Sequence, residues 1–202
     1  HISDLLDVDL RPDIAMIDIP IGLPDSGSRE PDLAARSYLG SPRASSVFPC
    51  PIRPVLKADS YEEACSIGLK ADGRKLSKQS WAILPKIREV DDSLCGDLTR
   101  QQWLREVHPE VCFATWNGGA AMVEGKKTLQ GQEARRALVE SIYGDSLRSM
   151  IQSPFGRGFA MDDLLDAFAA LWTCERVMEG RARTFPLKPK KDSVGLVMEM
   201  IA

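Results

Sequence analysis

A single charge inside an apolar strand constrains this chain more than any other feature. In "IAMIDIPIGLP" a short apolar segment runs from Ile14 to Ile19 and is ended by Pro20 and Gly22. A run of this length between breakers reads as a buried strand of an α/β sheet. Along it Ile14, Met16 and Asp18 face one way, Ile17 and Ile19 the other. Burying an unpaired carboxylate costs on the order of several kcal/mol. Asp18 therefore caps the following turn, pairs with an arginine such as Arg29, or stands at the carboxyl end of a parallel strand, where α/β proteins keep their sites.

A second acidic feature is "MDDLLDAFAALW", residues 161–172, where three aspartates enter an apolar run. The spacing predicts a helix over 161–179 stopped by Gly180, with Leu164, Leu165, Phe168, Ala169, Leu171 and Trp172 in a broad buried stripe. Asp162 reads as a cap or dipole residue of the first turn. Asp163 and Asp166, three apart, share a face, and Asp166 lies beyond the reach of the dipole. Carboxylates that converge from separate elements repel unless a cation sits between them.

The rest of the chain frames these two elements. The lead-in "SDLLDV" reads as a short helix, "EPDLAARSYLG" as a helix between proline and glycine, and "SPRASSVFPCPIRP" as a proline-punctuated loop. Helices are expected over 60–72 and 77–92, with Pro85 kinking or breaking the second. The stretch "WLREVHPEVCFATWNGG" is a strand candidate interrupted by Pro109, "GQEARRALVESIYG" a helix, and "SVGLVMEMIA" a last strand. At 202 residues and 44% hydrophobic, the chain suits one globular domain with a substantial core. No apolar run approaches the roughly 18 residues of a membrane span, and the acidic start lacks a signal peptide's pattern, so a cytoplasmic location is expected. Five dispersed cysteines without a C-x-x-C pair read as reduced thiols, and two histidines leave little for a zinc site. A net charge of −3 makes any nucleic-acid contact a local matter.

Several further side chains are suited to chemistry. In "REVHPE" a period of two puts Glu106, His108 and Glu110 on one face, and His108 is suited to binding metal, exchanging a proton or holding a phosphate. "RASSVF" offers Arg43, Ser45 and Ser46 as donors to an oxyanion. Lys86, in "PKIREVD", and Lys126 are cations suited to neutralising a phosphate. Each also has an ordinary reading as a hydrogen-bonded loop residue or a solvated surface charge.

The ordered motifs "IDIPIGLP", "RASSVF", "SKQSW", "PKIREVD", "EVHPE" and "DDLLDAFAALW" resemble the bacterial family filed as domain of unknown function 429, whose members are predicted nucleases of RNase H-like fold. The similarity spans about residues 13–180 and extends to "GLVMEM". The resemblance implies an RNase H-like layered fold with a central mixed sheet flanked by helices, in a single domain over 1–202 with a helical insertion around 40–100. Nothing before Asp18 reads as that fold's opening strand, so its first strands are expected to be lacking in this chain. The resemblance also implies Asp18, Asp163 and Asp166 as ligands of Mg²⁺ or Mn²⁺, and two-metal hydrolysis of DNA or RNA. Glu106 and His108 join them as catalytic candidates, His108 relaying a proton, while Arg43, Ser45, Ser46, Lys86 and Lys126 hold the substrate. The competing reading is a non-catalytic RNase H-like module that binds nucleic acid, a nucleotide or a protein partner. Phosphoryl transfer from ATP is a weaker third reading, since no Gly-rich phosphate loop occurs.

Overall fold

The computed structural model describes Ile2, Leu5, residues 11–153 and residues 158–202. The expected helix "SDLLDV" lies almost wholly outside the described residues. The chain is a mixed α/β fold with two small sheets. Strand β1, Ala15–Ile17, pairs in parallel with β2, Leu104–Glu106, in the register Ala15 to Leu104 and Ile17 to Glu106. Strand β3, Thr184–Lys191, pairs antiparallel with β4, Val197–Ile201. A parallel bridge from Val107 to Ile201 joins the two ladders, so the strands lie in the order β1, β2, β4, β3.

Helix α1, Glu30–Leu39, starts with Pro31 in its first turn and ends at Gly40 with φ +59°. Helices α2, Tyr61–Asp72, and α3, Lys78–Gly96, are capped by Ser60 and Ser77, whose side chains accept from Glu63 and Ser80 N–H. Pro85 neither ends nor splits α3; it is exposed in mid-helix, where its ring meets solvent. Helix α4, Pro109–Trp116, corrects the strand expected through "EVHPE". The strand stops at Glu106, and Pro109 opens the helix because its fixed φ and missing N–H suit a first turn. Helix α5, Leu129–Gln152, is capped by Thr128 and kinks at Tyr143, and α6 is Met161–Met178. The lysine-rich stretch near the C-terminus forms β3, since an edge strand tolerates Pro186 and Pro189.

Helix α6 packs on α4, α5 and β1, which places its acidic start beside the end of β1. Leu165, Phe168, Ala169 and Trp172 are buried at helical spacing in the main core with Val111, Phe113 and Val139. Trp172 stacks on Trp116 with centroids 4.8 Å apart and planes 1° off parallel. This anchor fixes the rotation of α6 about its axis, and so which of its aspartates flank the core. Residues 52–84 bury a separate cluster of Ile52, Val55, Ala64 and Leu84 under α2 and α3. Among the described residues no helix is long and apolar enough to cross a membrane.

Candidate functional site

Asp18 is the first residue past β1, and it lines a cavity of about 370 Å³. Arg43, Ser46, Glu106, His108, Lys126 and Asp166 line the same cavity, so seven of the side chains singled out in the sequence meet there. They come from separate elements: β1, the turn at Arg43–Ser46, the end of β2, the loop before α5, and α6.

Lys126 holds the centre of the charge distribution. Its Nζ lies 2.6 Å from Asp166 Oδ2 and 3.9 Å from Asp162 Oδ2. Burial pulls the ammonium's pKa down, and Asp166, Asp162 and Asp18 together outweigh that and raise it. Burial raises the Asp166 carboxyl against the pull of Lys126, and raises Asp18 against His108, Lys126 and Lys86. Asp18 is thus open to the cavity while protein atoms around the cavity wall weaken its hydration.

The loop that carries Lys126 is pinned at three points. Thr128 caps α5 and also donates from Oγ1 to Gly125 O at 2.9 Å. Arg135 Nη1 donates to Glu124 O at 3.1 Å. Gly125 O approaches Gly131 so closely that a Cβ there would lie 2.0 Å from it. The presence of glycine at 131 therefore brings this loop against α5.

The sequence expectations need four corrections of placement. Neither Asp163, which is exposed, nor Asp162 lines the cavity; Asp162, four residues before Asp166, is half-buried and faces Lys126. The cap of α6 is Ala160, which makes no side-chain bond, so Asp162 is not a cap. Ser45 is exposed and donates to Pro42 O, while Lys86 is exposed outside the lining and reaches Asp18 only through its field. Glu106 lines the cavity with both oxygens engaged: Arg29 Nη1 donates to Oε1 at 2.8 Å, and Arg29 Nη2 and Ile21 N–H donate to Oε2. Its carboxylate thereby ties β2 to Arg29 and to the turn after β1.

The buried Arg29 network was not visible in the sequence. Arg29, 1% exposed, donates to Gly22 O, Ile21 O, Asp32 and Glu106, and Asp32 in turn accepts from Cys50 N–H. It therefore ties the turn after β1 to β2 and α1, and does not pair with Asp18. One guanidinium faces two carboxylates, so burial outweighs its pull and Glu106 is raised. Burial pulls Arg29 down, and the two acids hold it charged well above the ordinary range. A second buried pair, Arg135 Nη2 to Glu110 at 2.7 and 2.8 Å, fixes the start of α4 and with it His108. Glu110 is on that helix, so it does not share a strand face with Glu106 and His108.

His108 Nε2 lies 3.2 Å from Ser46 O, and its buried Nδ1 has no partner among the described residues. Asp18, Asp162 and Asp166 are hard oxygen donors, the kind that suits Mg²⁺ or Mn²⁺. Among the described residues, no three acid, histidine or cysteine side chains stand at metal-binding spacing. The Lys126 ammonium supplies the compensating charge instead.

The family model described as "Protein of unknown function (DUF429)" matches residues 1–191. The chain belongs to this family. No curated protein and no solved structure matches it significantly. The cavity of this DUF429 chain is built from the motifs that carry the family likeness, since Asp18, Ser46, His108 and Asp166 each fall within one of them.

Proposed function

We propose that this DUF429 chain hydrolyses phosphodiester bonds of nucleic acid, DNA or RNA, on an RNase H-like layered framework, with Mg²⁺ or Mn²⁺ as cofactor. The observation that carries the proposal is the meeting of Asp18 and Asp166, from a strand end and a helix, in one cavity with Lys126 and with Arg43, which has no ion pair among the described residues. The donors suit the ion in kind, and Asp18, Asp162 and Asp166 would hold it once the Lys126 ammonium leaves Asp166. When bound, the ion supplies an activated water and charge stabilisation at the leaving oxygen. Arg43 and Lys126 neutralise the phosphate. His108, beside Asp18 with one ring nitrogen free, moves a proton to or from the reacting oxygens.

The test is Mn²⁺-dependent cleavage of labelled single-stranded, duplex and branched substrates by wild type, Asp18→Asn and Asp166→Asn. Loss of at least about a hundredfold in both variants is expected, as for removal of a group acting in the transition state. Equal activity in all three proteins would place the cleavage elsewhere. The salt link between Lys126 and Asp166 favours a second reading, a non-catalytic nucleic-acid module whose lysine stands in for the ion. Binding without turnover in the same assay selects that reading.

A further inference from the structure

Arg43 is the exception among the buried and half-buried arginines of the described residues. Every other buried or half-buried arginine donates at least one hydrogen bond: Arg29 and Arg135 to carboxylates, Arg36 to Val47 O, Arg88 to Leu56 O, and the remainder likewise. Half-buried Arg43 forms no ion pair or hydrogen bond among the described residues, and its Nε is shut away from solvent. Arg43 lines the cavity of about 370 Å³ together with His108, whose Nε2 donates to Ser46 O. Buried polar groups are nearly always bonded, so a guanidinium on a cavity wall without any partner among the described residues marks the place of a missing acceptor. A guanidinium without a carboxylate partner is suited to a phosphate oxygen.

The remaining lining is of a different character. Phe48, Pro49 and Pro51 from the loop after Arg43–Ser46, with Ile83 of α3, present apolar surface to the same space. Phe48 is 38% exposed, whereas Phe113 is completely buried. An aromatic face at an opening of this kind is a platform on which any base can stack. The volume lies at the small end of the roughly 300–1,000 Å³ of small-molecule sites, and a duplex, whose major groove alone is about 12 Å wide, has no room inside.

We propose that the cavity takes one nucleotide unit of single-stranded nucleic acid, its phosphate on Arg43 and its base on Phe48. The inference rests on the nucleic-acid reading above and narrows its substrate to a strand end or an unpaired nucleotide.

Calorimetric titration of the intact chain with AMP, adenosine and inorganic phosphate tests it. AMP is expected to bind tightest. Phe48→Ala should weaken AMP roughly fivefold to a hundredfold and leave inorganic phosphate unchanged, as loss of a stacked base does. Arg43→Gln should weaken AMP and phosphate together by at least about tenfold and leave adenosine unchanged. Phe48 is already partly exposed, so its truncation leaves the core intact. The inference is overturned if AMP binds no tighter than phosphate, if Phe48→Ala leaves AMP unaffected, or if none of the three probes binds. AMP binding with no cleavage of any substrate would remove the hydrolase proposal and keep this site; cleavage without AMP binding would do the reverse.

Discussion

Replacing Arg29 with methionine probes the support of the cavity. The Arg29 side chain is 0% exposed, and its partners Asp32 and Glu106 are 8% and 3% exposed, so the substitution strands two carboxylates away from water. Removing one partner of a buried pair costs about 3–5 kcal/mol. At about 2–4 °C per kcal/mol for a chain of this size, the melting temperature falls by about 6–20 °C. The sign of the pH dependence follows from the stranded acids. Burial already raises the Glu106 carboxyl, and without the guanidinium it rises further, so the folded state binds more protons than the unfolded one and stability falls as pH rises. Urea unfolding at about pH 5 and about pH 8 should therefore show the larger deficit at the higher pH. Glu106→Gln added to Arg29→Met should recover about 0.5–3 kcal/mol relative to additivity, because it removes one stranded charge. A loss below about 1 kcal/mol, additive with Glu106→Gln and flat in pH, would refute the assignment of Glu106 as a strut.

Further expectations concern the acids and the loop beside them. Asp18 and Asp166 carry carboxyls raised by burial, so their charged forms weigh against folding above the ordinary aspartate range. Asp18→Asn should raise the melting temperature at neutral pH and lose that advantage near about pH 3, where both states are protonated. Gly131→Ala places a methyl 2.0 Å from Gly125 O and should cost about 1–3 kcal/mol in urea melts while displacing Lys126 from Asp166. Lys126→Met should raise the Asp166 carboxyl further, read as a shift to higher pH in its side-chain NMR titration; an unchanged titration would deny the ion pair.

Much of the frame was legible because it depends on neighbours in the chain. Pro31 and Gly40 bracket α1, Ser60 and Ser77 cap α2 and α3, and the apolar spacing of 161–172 marks α6. The expected α/β character and a place at the strand end for Asp18 came from the same local signals. Two local signals misled. The period of two through "REVHPE" suggested a strand beyond its true end at Glu106, where Pro109 opens a helix instead. The place of Asp162 suggested a cap or dipole residue, yet the cap of α6 is Ala160 and Asp162 reaches toward Lys126.

The sequence by itself determined the starts of α1, α2 and α3, the apolar stripe of α6 and the acid at the end of the first strand. Only the tertiary structure decided that Asp162 rather than Asp163 faces Lys126, because the stacking of Trp172 on Trp116 sets the rotation of α6. It also decided that Glu106 belongs to Arg29, 77 residues away, and that Arg43 is left without a partner among the described residues. The physical reason is range. Caps, turns and periodicity act over one or two turns of chain, whereas an ion pair or an unpaired buried nitrogen depends on which distant elements share a wall.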